Sequence, residues 1–314
     1  MMGTISQLED SATRTAVSGS LSTGEWRDFW ALLKPRVMTL VVFTAACGLI
    51  VAPGTLSPFL SFVAILCIGV GAGASGAFNQ WLEADTDALM KRTASRPLPA
   101  GRLAREDALV FAIMLSGASV LTLWLATNWV AAAILAFAIF FYAVVYTIWL
   151  KPNTPQNIVI GGAAGAFPPV IGWAAVTGDV TALPLLLFAI IFAWTPPHFW
   201  ALAMFIRRDY ANAQMPMLPL THGLAETRRQ ILIYSIVLLA VSVAPFALGL
   251  TGALYGLFAA LLGVVFLALA IGVARATAEE PADMLAEKRL FKFSILYLFL
   301  LFGVLVADAA WMRP

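Results

Sequence analysis

Long apolar stretches recur along nearly the whole chain and are separated by polar connections. Each holds about 20 mostly apolar residues, the length an α-helix needs to cross a bilayer core of about 30 Å. Short alternating segments, typical of a transmembrane barrel, do not occur in the sequence. The pattern therefore predicts an all-α polytopic membrane protein with nine transmembrane helices, at residues 37–53, 58–81, 107–126, 129–149, 157–177, 183–205, 230–250, 252–274 and 290–311.

The composition supports a membrane protein. Hydrophobic residues make up 61% of the 314 residues and charged residues 11%, whereas about a quarter of a soluble globular chain is charged. The first 33 residues are different, because they are polar and rich in Ser, Thr and Gly. We therefore expect two regions, a disordered or surface-lying N-terminal tail at 1–33 and a transmembrane domain at 34–314.

The basic residues predict an orientation. Seventeen of the 19 Lys and Arg residues lie in segments that nine helices bring to one side of the membrane: 1–36, 82–106, 150–156, 206–229 and 275–289. The positive-inside rule places such segments, and with them the N-terminus, in the cytoplasm. The connections on the opposite side are very short, so we expect the polar chemistry on the cytoplasmic face.

An acidic motif follows the second predicted helix. Asn79, Glu83 and Asp87 stand at i, i+4 and i+8, which places them on one face if the helix continues. Like charges stacked in this way favour a cation, and oxygen ligands favour Mg²⁺ bound together with substrate phosphates. Asp85 points elsewhere on a regular helix and would join only if the helix end unwinds. The alternative interpretation is a solvated helix end.

Basic and aromatic residues accompany this motif. Lys91, Arg92 and Arg96 follow it directly, and a metal-binding acidic face beside cations is what a diphosphate needs. Positive-inside topology explains some of these cations equally well. Two further polar clusters lie in the segments at 146–152 and 207–219. Asp209 ends the sixth predicted helix as Asp87 ends the second, which indicates a weak internal repeat with two acidic faces meeting across the bundle.

His198 lies inside the sixth predicted helix, directly after Pro196 and Pro197. Prolines break the helical hydrogen-bond ladder, so the imidazole could satisfy freed backbone groups. The alternative is a ligand or neighbour of a metalloporphyrin, because imidazole is a common axial ligand of haem iron.

These motifs resemble the UbiA superfamily of intramembrane prenyltransferases, whose motif is Asn-Asp-x-x-Asp-x-x-x-Asp. Here Asn79 and Asp87 match it, whereas Gln80 and Glu83 depart from it. A second family motif, Asp-x-x-x-Asp, is reduced to Asp209, because position 213 is alanine. Other segments resemble the haem-farnesylating branch of the superfamily: 34–36, 90–93, 96–98, 146–151, 168–172, 197–203, 209–210 and 216–219.

The resemblance implies Mg²⁺ as cofactor, farnesyl diphosphate and haem B as substrates, and haem O as product, made in the cell inner membrane. It implies catalytic and metal-binding roles for Asn79, Glu83, Asp87 and Asp209, with Asp85 as a further possible ligand and His198 on the haem side. The residues expected to bind diphosphate are Arg36, Lys91, Arg92, Arg96, Tyr146, Lys151 and Arg208. Downstream haem A synthesis or oxidase assembly proteins are further expected partners, and we expect no nucleic acid.

Two alternatives remain from the sequence. A UbiA-type enzyme could prenylate an aromatic quinone precursor, although the residues around His198 favour haem. A secondary transporter is the alternative of another class, but transporters place acids near the bilayer midplane, whereas these acids gather at the edge beside cations. Composition and motif spacing alone predict only that the substrate is a prenyl diphosphate.

Overall fold

The structure, a computed structural model, describes residues 24–312, and every regular element in that range is helical. The elements are α1 Trp26–Leu32, α2 Pro35–Val51, α3 Pro58–Leu82, α4 Ala84–Ala88, α5 Arg105–Ala126, α6 Trp129–Asn153, α7 Asn157–Thr177, α8 Ala182–Phe205, α9 Arg207–Asn212, α10 Leu218–Thr221, α11 Gly223–Ala247, α12 Ala253–Arg275 and α13 Leu285–Met312.

Eight of these helices are long and apolar enough to cross a membrane: α3, α5, α6, α7, α8, α11, α12 and α13. A ninth span results when α1 and α2 are counted together across their bend of 53°. For the part of the chain that the structure describes, the predicted all-helical membrane architecture is confirmed. Two helices begin more than one turn earlier than predicted, at Gly223 rather than 230 and at Leu285 rather than 290, because charged first turns extend the apolar stretch.

Part of the predicted N-terminal tail is ordered. Residues 1–23 lie outside the described residues, but α1 packs against the bundle. Its Leu32 is fully buried, and the Phe29 ring meets the Phe111 ring of α5 edge-on at 5.1 Å. One face of α1 therefore contacts the bundle, whereas Trp26 and Trp30 are exposed, and the predicted domain boundary at 34 stays a prediction.

Capping residues explain the short connections opposite the charged segments. Ser57 accepts a hydrogen bond from the Leu60 amide at the start of α3. The side chain of Asn128 caps α6 through its Oδ1, and its Nδ2 donates to the Ala174 carbonyl at 2.7 Å, which ties α6 to α7. Gly178 ends α7 with a φ of +70°, a conformation that favours glycine.

The helices form two packed groups. One contains α2, α3, α5, α6 and α7, and the other contains α8, α11, α12 and α13, with α7 on α8 and α2 on α13 joining them. The helices α2 and α7 approach each other closely, because a Cβ at Gly48 or Gly172 would meet a backbone carbonyl oxygen of the other helix. In their most apolar stretches α7 and α8 are 72% and 61% buried, so they are more central than the glycine-rich α3 at 44%.

The charged segments converge on one end of the bundle, which we call the charged end. Lys151 at the end of α6 contacts Glu83 at the end of α3. Arg208 of α9 contacts Glu280 in the connection between α12 and α13. Arg102 in the loop after α4 contacts Asp28 of α1, so each of the five segments that the sequence assigns to one side of the membrane is joined to another of them.

Candidate active site

The acidic motif lies at a break in the helix. The backbone leaves helical geometry at Glu83, which has φ −100° and ψ 9°, and α4 restarts at Ala84. Asn79, Glu83 and Asp87 therefore do not form one continuous helical stripe, yet all three are buried, with 3%, 7% and 1% of each residue exposed. The break turns Asp87 towards the loop that follows α4.

Each residue of the motif contacts a different cation. The Lys34 Nζ donates to Asn79 Oδ1 at 2.6 Å. The Lys151 Nζ lies 2.5 Å from Oε1 and 2.6 Å from Oε2 of Glu83. Arg96 donates to Asp87 Oδ2 at 2.5 Å. We call these six residues the acid–base cluster: Lys34, Asn79, Glu83, Asp87, Arg96 and Lys151.

Asp85 lies apart from this cluster. Its side chain is 89% exposed, and it forms an ion pair with Arg105 of α5 at 2.7 Å. Because α4 is a short regular turn, its successive side chains point in different directions. Asp85 therefore faces solvent, whereas Asp87, two residues later, is buried.

Lys34 enters the cluster through an unusual backbone conformation. It stands between α1 and α2 with φ +51°, a left-handed conformation that is uncommon for a side chain other than glycine. Gln80 supports this corner, because its amide donates to the Leu32 carbonyl at 2.8 Å. Lys34 is half-buried at this corner.

The loop after α4 holds Arg96 against the cluster. The Thr93 hydroxyl donates to the Asp87 carbonyl at 2.8 Å, which closes the loop over the acid. Three further cations, Arg36, Lys91 and Arg92, are exposed. None of them forms an ion pair with a residue in the range 24–312. Their cationic ends are therefore open to an incoming anion.

A π-helical section of α6, Phe141–Leu150, supplies the other wall of the site. The Thr147 hydroxyl donates to the carbonyl of Tyr142, five residues earlier, at 2.8 Å and accepts from Asn79 Nδ2 at 3.3 Å. The Tyr146 ring packs tightly on Gly161 of α7, where a Cβ would come within 2.1 Å of the ring. Wide turns of this kind occur often at functional sites. Here Tyr146 contacts α7, and Thr147 contacts α3.

The oxygen atoms of the cluster suit a hard cation. Asp87 Oδ1 is buried and has no hydrogen-bond partner, which leaves a carboxylate oxygen able to coordinate a metal ion. Within residues 24–312, no three His, Cys, Asp or Glu side chains group closely enough to hold a metal by themselves. A Mg²⁺ ion here would therefore need the Asn79 amide and substrate phosphate oxygens as well, which is how Mg²⁺ is commonly bound.

A cavity of about 320 Å³ lies beside the cluster, between the end of α3, the end of α6 and the connection after α9. Polar and charged lining residues include Glu83, Thr86, Thr147, Lys151 and Gln214. The connection after α9 therefore reaches the first acidic motif through Ala213, Gln214 and Met215.

Two predicted site residues on α9 are placed differently from the cluster. Asp209 is half-buried and forms no ion pair with any described residue. The Arg208 guanidinium pairs with Glu280 at 3.0 Å, and both side chains are more than 60% exposed. Neither lines the cavity at Glu83.

His198 lies deeper, seven residues before the end of α8, or about 10 Å along the helix at 1.5 Å per residue. Its ring is stacked on Trp194 at 4.2 Å and on Phe291 of α13 at 4.8 Å. The Nδ1 atom is 2.6 Å from the Ser294 hydroxyl. The imidazole therefore bonds a side chain of another helix and not a carbonyl that Pro196 or Pro197 has freed.

Sequence reasoning missed three residues of this arrangement. Lys34 has a signal in its position before Pro35-Arg36, yet only Arg36 was assigned to the site. Thr147 lies within the polar cluster at 146–152, from which the sequence predicts Tyr146 and Lys151 as site residues. Ser294 is a small polar residue in an otherwise apolar part of α13, a signal that could have been followed.

Buried acids and bases lie together at one end of an apolar helical bundle. A sequence profile of the UbiA prenyltransferase family matches residues 40–296. The chain belongs to this family.

The curated relatives narrow the assignment within the family. The chain is 62% identical to the protoheme IX farnesyltransferase of Erythrobacter litoralis, over 94% of this chain and 96% of the relative. It is 60% identical to the protoheme IX farnesyltransferase of Novosphingobium aromaticivorans, over 90% and 93% of the two chains. It is thus a prenyltransferase of the protoheme IX farnesyltransferase group.

Solved structures share the fold at low sequence identity. A digeranylgeranylglyceryl phosphate synthase superimposes with a TM-score of 0.75 at 15% identity, over 91% of this chain and 99% of the other. A UbiA homologue from Archaeoglobus fulgidus bound to DMAPP and Mg²⁺ gives a TM-score of 0.63 at 15% identity, over 88% and 99%. These likenesses establish the UbiA-type helical fold.

Proposed function

We propose that this enzyme transfers the farnesyl group of farnesyl diphosphate to a vinyl group of haem B, with addition of water, and releases diphosphate and haem O. The observation that carries this proposal is the acid–base cluster, in which three buried oxygen-bearing side chains meet three cations at the end of an apolar bundle. The high identity to protoheme IX farnesyltransferases supports haem B as the acceptor.

The cluster would bind the diphosphate. Asn79, Glu83 and Asp87 would hold Mg²⁺, with Asp209 contributing from the second half, and the metal would offset the charge of the phosphate oxygens. The cations stabilise the diphosphate as negative charge develops on it. The side chains proposed to contact it are Arg36, Lys91, Arg92, Arg96, Tyr146, Lys151 and Arg208, joined by Lys34.

Lys34 and Lys151 are already paired with Asn79 and Glu83, so the diphosphate would compete for cations that these oxygens now hold. Their release would free the same oxygens for the metal. Arg208 would have to leave Glu280, so we rank it as the weakest contributor.

The bundle interior would protect the reaction. Loss of diphosphate leaves positive charge on farnesyl C1, and the vinyl π electrons form the new carbon–carbon bond. The resulting cation beside the porphyrin is captured by water, which loses a proton to give the hydroxyl. The apolar interior of the bundle would suppress premature capture of the allylic cation by keeping water away from the farnesyl chain. His198, about 10 Å deeper than the end of α8, is the residue we place on the haem side.

The direct test is the product. Purified enzyme supplied with haem B, farnesyl diphosphate and Mg²⁺ should yield haem O by mass and release one diphosphate per haem O. Replacing haem B by an aromatic quinone precursor should yield no prenylated product. Prenylation of the quinone precursor instead of haem B would overturn the proposed acceptor.

The charged end is proposed to face the cytoplasm of the cell inner membrane. Its basic segments support this orientation through the positive-inside rule, and haem A synthesis or oxidase assembly proteins would then receive the product. Reporter fusions after Leu150 and within 206–229 should report cytoplasm, and a fusion after Gly178 the opposite side. A cytoplasmic report at Gly178 would contradict the topology.

A further inference from the structure

The imidazole of His198 is held on three sides. Trp194 and Phe291 stack on it, with ring planes inclined by 17° and 25°. The Trp194 indole donates to the Ser294 carbonyl at 2.8 Å, so the same residue of α13 also positions one of the stacking rings. Ser294 is fully buried, and its hydroxyl lies 2.6 Å from His198 Nδ1.

The Ser294 hydroxyl decides which imidazole nitrogen carries the proton. Its oxygen is 2.7 Å from the Phe291 carbonyl oxygen, which cannot donate, so the single hydroxyl proton must lie in that bond. The same oxygen can then only accept from His198. Nδ1 therefore carries the hydrogen, and Nε2 keeps its lone pair.

The Nε2 atom has no hydrogen-bond partner among the described residues. A neutral imidazole whose Nδ1–H is held by a hydrogen bond and whose Nε2 lacks a partner is the form in which histidine binds a metal.

We propose that Ser294 is a positioning residue that fixes His198 in its Nδ1–H tautomer, so that Nε2 ligates the iron of the haem substrate. The inference rests on haem B being the acceptor. Ser294 lies on α13, a helix for which the sequence predicts no site residue, so α13 becomes part of the substrate site. The aromatic rings of Trp194 and Phe291 hold the imidazole plane.

Ferric haem B titrated into the purified enzyme is the probe, and the absorption spectrum of the iron is the readout. Wild type should show an imidazole-ligated spectrum. In Ser294→Ala the haem should bind on the order of 10-fold more weakly, the lower end of losses of a supporting hydrogen bond at a metal site, with a smaller imidazole-ligated fraction. Ser235→Ala is the matched control, because Ser235 is equally buried and bonds only its own helix, at the Ile231 carbonyl.

His198→Asn separates ligation from folding. Asparagine retains an N–H for Ser294 but has no atom at the Nε2 position, so thermal stability should stay near wild type while the imidazole spectrum disappears. An unchanged spectrum in His198→Asn, or equal effects of Ser294→Ala and Ser235→Ala, would overturn the inference. If the wild-type enzyme makes haem O while the variants overturn the role of Ser294, the proposed function stays intact. If the wild-type enzyme makes no haem O, the proposed function itself is refuted.

Discussion

Two short helices occupy corresponding places in the chain and differ in their chemistry. Both α4 and α9 directly follow a long spanning helix, and each precedes a proline-containing turn. Glu83 and Asp87, beside and within α4, are buried and paired with cations from α6 and from the loop after α4, and Lys34 from the α1–α2 corner bonds the Asn79 amide oxygen. The single acid of α9, Asp209, is half-buried and has no ion pair with a described residue.

The difference shows where the binding strength is concentrated. A buried carboxylate with an unpartnered oxygen, such as Asp87, is destabilised unless a cation completes its surroundings. Asp209 is only half-buried and does not require a cation in this way. Position 213 is alanine, so a second acid is missing there. We therefore expect the region around α4 to bind metal and diphosphate, and the region around α9 to cover the bound substrate.

The largest effect is expected at Asp87. Asp87→Asn keeps the size of the side chain but removes its charge, so farnesyl transfer should fall on the order of 10²–10³-fold, as when transition-state charge stabilisation is lost. Turnover of the inserted protein is the measurement. Asp85→Asn is the matched control at an exposed acid of the same short helix and should stay near wild type. Equal losses in both variants would contradict the assignment.

Lys151 tests whether the acid–base cluster also stabilises the fold. Lys151→Met leaves the Glu83 carboxylate buried without a cation, and breaking a buried pair costs about 3–5 kcal/mol at most. Thermal unfolding in detergent should reveal this loss. Adding Glu83→Gln should restore much of the stability without restoring activity. If the double variant were as unstable as Lys151→Met, the unpaired charge would not be the cause.

A smaller effect is expected at Asp209. Asp209→Asn should reduce kcat/KM by about 10-fold, or about 1.4 kcal/mol, chiefly by raising KM for farnesyl diphosphate. The kinetic constants of the variant check this expectation. A loss as large as that of Asp87→Asn would show that the two acidic regions contribute equally to the metal site.

The smallest effect is expected at Arg208. Its pair with Glu280 is exposed, and exposed ion pairs contribute about 0–1 kcal/mol to stability. Arg208→Ala should therefore change melting temperature and turnover little, whereas Arg96→Ala should reduce turnover strongly. A comparable loss in both variants would place Arg208 at the diphosphate.

The spans were predictable from the sequence because apolar length is a local property. The gathering of Asn79, Glu83 and Asp87 at one edge follows from the same local pattern. Their pairing was not predictable, because Lys151 reaches Glu83 across 68 residues and the helix breaks between the acids. Lys34 was missed for a related reason, since its direction depends on one left-handed backbone conformation.

Gln80 shows how structure accounts for a departure from the family pattern. Where the family motif has aspartate, the Gln80 amide donates to the Leu32 carbonyl, a bond that a carboxylate cannot donate. The change therefore holds α1 in place instead of adding a metal ligand. Spacing alone could not separate these two roles.

Binding of inorganic diphosphate tests the central claim most directly, that the acid–base cluster near α4 is the metal and diphosphate site. Calorimetric titration of wild type should show binding that requires Mg²⁺ and disappears with a chelator. Asp87→Asn should abolish this Mg²⁺-dependent binding, and Asp209→Asn should retain most of it. Diphosphate binding that persists unchanged in Asp87→Asn, or without Mg²⁺, would contradict the claim.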